Sequence, residues 1–150
     1  MADFTISQEL LEQRVEGELK NRFSSANDIN SMMSLTLVSC CARTKQLELC
    51  HSVHPRELNV LGTMHGGLIS WVMDSTMAVL LRACTGDFLT PTIDLHVNFL
   101  RPIQEGQDLL VQTELLHLGR STATLHARAL ADGKLCASAT ATFFRAKPNV

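Results

Sequence analysis

An aspartate in the middle of an apolar helix asks for a chemical explanation. Residues 59–84, NVLGTMHGGLISWVMDSTMAVLLRAC, read as a helix apolar on almost every side, with Asp74 as its only carboxylate. A buried carboxylate without a partner is costly or takes up a proton. Asp74 shares a helical face with Gly67, Ser70 and Ala78, a small and partly polar stripe that leaves room for another group. Arg82 lies two turns further on, too far for the usual helical ion pair. Asp74 thus either caps a neighbouring loop or pairs with Arg82, or it serves as a general base or nucleophile whose surroundings tune its pKa.

The segment opens with GTMHGG, residues 62–67. Thr63 is a candidate N-cap, and the first amides of a helix have no partner within it and carry partial positive charge. Gly66 and Gly67 have no side chains to keep a carbonyl oxygen away from those amides, which is the requirement of an oxyanion hole. Gly66 and Asp74 are eight residues apart, or about 12 Å along a helix. An oxyanion donor must sit about 3 Å from the developing charge. One helix cannot serve a single carbonyl with both groups, but two antiparallel copies can. If both groups act, the site lies between subunits and the protein is at least a dimer.

The elements that hold this helix follow from periodicity. Residues 7–21 are helical, with Leu10, Leu11, Val15 and Leu19 on one side and charges on the other. Residues 24–31, SSANDINS, are polar and turn-prone, which suggests a linker. The chain accordingly divides into an N-terminal helix and linker, 1–31, and a main domain, 32–150. SMMSLTLVSCCA and KQLELCHSV read as two strands of a hairpin around Arg43–Thr44. After the central helix, PTIDLHVNFL alternates strictly. Ile93, Leu95, Val97 and Phe99 fall on one face, and Thr92, Asp94, His96 and Asn98 on the other. Three more strands follow, with turns at Gly119–Arg120 and Asp132–Gly133; Asp-Gly between alternating runs is a strong hairpin signal. Leu135, Ala137, Ala139, Ala141 and Phe143 line one face of the last strand, and the small ones permit close approach of a helix. A helix this apolar must be wrapped by the sheet or covered by a second copy. The fold class is α+β, a curved and mostly antiparallel sheet around a central helix.

Composition narrows the function. The chain has 150 residues, 45% of them apolar and 19% charged, with a formal charge of −2. That is one ordinary globular domain with no basic footprint for nucleic acid and no polybasic motif for a membrane surface. The N-terminus has no basic start or apolar core, so no signal peptide is expected. Asp74 interrupts the central helix, which speaks against a membrane span. Five cysteines at irregular spacing (Cys40, Cys41, Cys50, Cys84 and Cys136) fit free thiols in a reducing cytoplasm.

Taken whole, the pattern N-x-x-G-x-x-H-G-G at Asn59, Gly62, His65, Gly66 and Gly67, then Asp74, then TIDLHVNFLRP, resembles the PaaI-type acyl-CoA thioesterases of the hotdog-fold superfamily. The resemblance covers about residues 35–145 and leaves the N-terminal helix outside. It implies a sheet wrapped on a central helix and hydrolysis of an acyl-CoA to free acid and CoA. Asp74 matches the catalytic carboxylate, and Gly66 the residue whose amide polarises the thioester carbonyl. His65 and Asn59 match residues that position substrate and water. Thr92 falls where relatives place a serine that holds the water, and Gly67 and Ser70 line the same site. The resemblance further implies no metal and no cofactor beyond the substrate's CoA, and assembly as a homodimer or a homotetramer.

Weaker candidates are His51 and His54, an H-x-x-H best read as a solvated strand edge, and His96, on a polar strand face. His117 and His126 stand beside a hairpin. Arg101, Arg120, Arg145 and Lys147 could meet CoA phosphates. Trp71, Met73, Met77 and Phe99 would suit an apolar or aryl acyl group if they line the pocket. Two other functions fit the same fold. A hydratase or dehydratase would need a histidine paired with a carboxylate. A non-catalytic acyl-CoA-binding protein would bind without turnover.

Overall fold

The computed structural model describes residues 4–23 and 28–145. Residues 24–27 of the expected linker, and Lys147, lie outside the described residues. The rest of that segment forms a 3-10 turn at Ile29–Met32 capped by the Asp28 carboxylate.

The first helix, α1, spans Gln8–Arg22. The Ser7 hydroxyl accepts the Leu10 amide at 3.2 Å, which satisfies one of the free amides of the first turn. Glu9 stands near the positive end of the helix dipole, and Lys20 and Arg22 near the negative end. Leu11 and Val15 are fully buried, each contributing about 1.5–3 kcal/mol of apolar burial.

Six strands form one sheet: β1 (Leu35–Cys41), β2 (Gln46–Ser52), β3 (Thr92–Phe99), β4 (Asp108–Leu118), β5 (Thr122–Ala131) and β6 (Lys134–Phe144). Every neighbouring pair is antiparallel, in the order β1-β2-β4-β5-β6-β3. The expected turn at Asp132–Gly133 joins β5 to β6, both residues having positive φ (49° and 71°), as a tight two-residue hairpin requires. The sheet curls around α2, Gly66–Thr85, whose C-terminus is closed by Gly86 at φ 73°. Ala127 pairs with Ala139 and Ala129 with Ala137. These buried alanines give α2 room to lie close. The helix is long and apolar enough to cross a bilayer, yet most of it is covered by the sheet and α1.

The two edges of the sheet differ. The carboxamide of Gln8, at the start of α1, donates to the Cys40 carbonyl (2.9 Å) and accepts the Ala42 amide (2.8 Å), doing the work of a neighbouring strand at the end of β1. At the other edge β3 pairs, among the described residues, with β6 alone, and Ile93 and Phe99 on it are more than half exposed.

Candidate active site

The residues that precede α2 form a rigid loop whose groups are largely used up within it. Asn59 organises it. Its Oδ1 accepts the Leu61 amide (2.9 Å) and the Thr63 amide (3.3 Å), and its Nδ2 donates to Thr63 Oγ1 (3.0 Å). Gly62 turns the chain with φ 75°. Thr63 belongs to this loop and does not cap α2, contrary to the expectation from sequence. The cap is His65, whose Nδ1 accepts the Gly67 amide at 2.9 Å. The His65 amide in turn donates to the Glu57 carbonyl at 2.8 Å.

Behind this loop lies a pair that the sequence did not announce. His51 is 1% exposed and Glu57 2%, and His51 Nε2 stands 3.0 Å from Glu57 Oε2. Oε2 also accepts the His54 amide, and His51 Nδ1 accepts the Ser34 amide. The H-x-x-H at the strand end is therefore not a solvated edge. His51 is an anchor that fixes the Pro55–Glu57 turn, and the signal for it was a glutamate six residues on in an apolar setting. Among the described residues no group of three His, Cys, Asp or Glu side chains is placed to hold a metal ion.

With Gly67 occupied by His65, Gly66 is the glycine whose amide has no acceptor among the described residues. It opens onto a cleft of about 360 Å³ lined by Asn59, Thr63, Ile69, Phe99 and Arg101. A Cβ at Gly66 would come within 3.2 Å of the Phe99 ring. The absence of a side chain thus lets the ring cover the helix start closely. Ser70 spends its hydroxyl on the Gly66 carbonyl at 2.9 Å, the back-bond usual for serine in a helix.

Asp74 lies half-buried in the middle of α2. Burial pushes its carboxyl above the ordinary carboxylate range. The hydroxyl of Thr92 and the charge of Arg82 pull it back down. Thr92 Oγ1 donates to Oδ1 at 2.8 Å, while Oδ2 accepts no hydrogen bond from the described residues. Strict alternation along β3 would have put Thr92 on the face of Asp94, away from the helix. The register shows why it is not there. Thr92 pairs with buried Phe143 and Asp94 with Thr142, which leaves Ile93 as the extra residue of a bulge. The bulge turns Thr92 to the inner face, toward Asp74.

Within one chain Gly66 and Asp74 remain at the start and the middle of an unbroken helix. His65, Gly66 and Asn59 share one end of the molecule. Asp74 and Thr92 form a second group, and Gly67 and Ser70 make only the local bonds described. Of the basic candidates, Arg145 is committed, with Nε on Asp87 Oδ2 and Nη1 on the Gly119 carbonyl, both at 2.6 Å. Arg101 borders the Gly66 cleft and donates to the Leu135 carbonyl. Met73 and Met77 are plain core, and Trp71 packs against that core partly buried.

Residues 61–137 match the thioesterase superfamily. The chain is 30% identical over 93 residues to acyl-coenzyme A thioesterase 13 of Homo sapiens, covering 59% of this chain. It spans about 62% of the length of that relative. Among solved structures, a putative thioesterase, phenylacetic acid degradation-related, from Ralstonia eutropha JMP134 superposes with a TM-score of 0.76 at 26% identity. It covers 90% of this chain and 98% of its own. The Streptococcus mutans UA159 protein smu.793, solved bound to acetyl CoA, superposes with a TM-score of 0.69 at 23% identity, covering 76% of this chain and 90% of its own.

Proposed function

Since the chain belongs to the thioesterase superfamily, we propose that it hydrolyses an acyl-CoA to a free acid and CoA at sites built between two copies of itself. The observation that carries this reading is a pair of groups with no partner among the described residues, the Gly66 amide at the start of α2 and Asp74 Oδ2 in its middle. The thioester carbonyl oxygen would accept the Gly66 N–H, which stabilises the negative charge that develops on it. Asp74 of the other copy would take a proton from water as it attacks the carbonyl carbon, or attack that carbon itself. Collapse of the tetrahedral intermediate breaks the C–S bond. With Asp74 as base, the thiolate of CoA receives the proton taken from water. With Asp74 as nucleophile, collapse leaves an acyl–Asp74 anhydride, which water hydrolyses to the acid and the regenerated carboxylate, and the thiolate takes up the proton that this water releases. Asn59 and His65 position the substrate end. Thr92 holds the carboxylate, and Gly67 and Ser70 contribute the backbone that shapes the wall.

The human relative's name and the acetyl CoA of the Streptococcus mutans protein support an acyl-CoA substrate. No cofactor beyond the CoA of the substrate is called for, and no metal. A homodimer is the smallest unit that completes the site, and a homotetramer built as a dimer of dimers is compatible with it. The open edge of β3, with exposed Ile93, Phe99 and Leu100 beside it, is the surface we assign to the partner copy. Three partly buried and two buried cysteines, all free, suit a cytoplasmic setting.

Purified protein should release free thiol from a panel of aryl- and alkyl-CoAs. Asp74→Ala should lower kcat by about 10³-fold with the fold intact by circular dichroism. Full turnover by that variant would remove the mechanism. Tight binding of every CoA with turnover of none would make this a binding protein.

A further inference from the structure

The charge on α1 that the apolar stripe does not predict is Glu18, which follows Leu11 and Val15 on the inward side of the helix. Its Oε2 accepts from Arg82 Nε at 2.6 Å and from Arg22 Nε at 2.9 Å. Arg82 comes from α2 and is nearly buried there, its side chain 11% exposed. Its Nη1 donates to Thr90 Oγ1 at 3.2 Å. Thr90 is itself 7% exposed and lies two residues before Thr92, the threonine that donates to Asp74. Arg22 closes the same loop from outside. Its Nη2 donates to the Phe88 carbonyl, and its guanidinium lies 5.1 Å from the centre of the Phe88 ring.

We propose that α1 is a positioning element of the site: Glu18 ties the Arg82 guanidinium to α1 while Arg82 holds Thr90, which anchors the approach to Thr92 and keeps the Arg82 charge balanced two turns along α2 from Asp74. This rests on Asp74 being the working carboxylate. Arg82 is the cation whose charge reaches Asp74. Glu18 and Asp74 both act on Arg82 in turn, and Arg22 opposes them.

The other charges near this network are committed elsewhere. Arg14 of α1 donates to the Ala83 and Cys84 carbonyls at the end of α2. In the loop before β3, Asp87 is paired with Arg145 at the end of β6. The titratable groups of β3, Asp94 and His96, pair with Thr142 and Thr140, alternate to the buried Phe143, Ala141 and Ala139, and so face away from the helix. Without its glutamate, Arg82 would carry an unbalanced charge in a partly dry setting, where a single charge is felt more strongly than in water. It would also be free to swing toward Asp74. Both effects favour the ionised carboxylate and make it a weaker base.

The test is a pair of opposite substitutions read by pH profile. With each rate expressed relative to the protein's own plateau, the acid limb of kcat/KM should move to lower pH in Glu18→Gln and to higher pH in Arg82→Gln. Glu18→Asp, which keeps the charge, should follow the wild type. Damage that merely loosened α1 would lower the plateau in both without moving the acid limbs in opposite directions. Coincident limbs, or limbs that move the same way, overturn the proposal. A carbon-13 titration of the Asp74 carboxyl in the same proteins needs no substrate. Separated titrations in a protein without turnover would sink the thioesterase reading and leave standing only the control of the Asp74 carboxyl by Glu18 and Arg82. Coincident titrations would sink this one regardless of turnover.

Discussion

Asp74 is held in its native setting against its own solvation. Burial is the largest influence on its carboxyl and raises its proton affinity, and Thr92 and Arg82 offset this only in part. The linkage follows from the sign. A carboxyl whose native pKa lies above its unfolded pKa binds more protons in the native state across the window between them. Stability therefore falls as pH rises through that window and stays lower above it. Asp74→Asn keeps the shape and an acceptor for the Thr92 hydroxyl but removes the charge. At pH 7 that variant should melt at a higher temperature than the wild type, and the difference should close below about pH 4, where the unfolded aspartate is itself protonated. Denaturation at one protein concentration across pH 3–8 checks it. An Asn variant that is less stable at neutral pH, or a gap that ignores pH, would mean that the carboxylate is satisfied in place and is a structural group. Stability yielded at such a position is what a site under functional demand exhibits.

At the scale of elements, α2 depends on how it starts, and His65 has two duties there. Its Nδ1 caps the helix through the Gly67 amide, and the resemblance gives the ring a role toward the substrate carbonyl. These can be separated. His65→Ala should lower stability by about 1 kcal/mol through the lost cap, while His65→Asn, a good cap, should stay within about 0.5 kcal/mol of the wild type. Turnover should drop in both. If Asn restored turnover as well as stability, His65 would be a cap and nothing more. Much of this architecture was legible because local pattern decides it: the alternating strands, the Asp-Gly turn, the stripe of alanines on β6 and the wrapped helix. The bulge at Ile93 was not legible, because alternation continues on either side of it and only cross-strand register reveals the extra residue. The contact between Glu18 and Arg82 was equally hidden, since it joins residues 64 apart in the chain. His51 looked like a surface histidine because its glutamate partner meets it only after the chain has turned at Pro55.

For the whole molecule, the proposed chemistry carries a requirement for two chains, which follows from the geometry of one helix. The Gly66 amide and Asp74 are on the same continuous α2, about 12 Å apart along its axis, so neither copy alone can present both to one carbonyl. This can be tested by complementation. Gly66→Pro deletes the amide donor where the helix tolerates proline best, at its first position. His65, with φ −64° and ψ 131°, already has the extended backbone that a residue before proline prefers. Asp74→Ala deletes the carboxylate. Each homodimer should be inactive. When the two variants are unfolded together and refolded in equal amounts, half the dimers pair unlike chains. In each of these one site combines an intact Gly66 amide from one chain with an intact Asp74 from the other, and the second site lacks both. Turnover should then return to about a quarter of the wild-type level. If the amide and the carboxylate served a carbonyl within one chain, mixing would recover nothing. A monomer with full activity in sedimentation and in the assay would show that a single copy is sufficient.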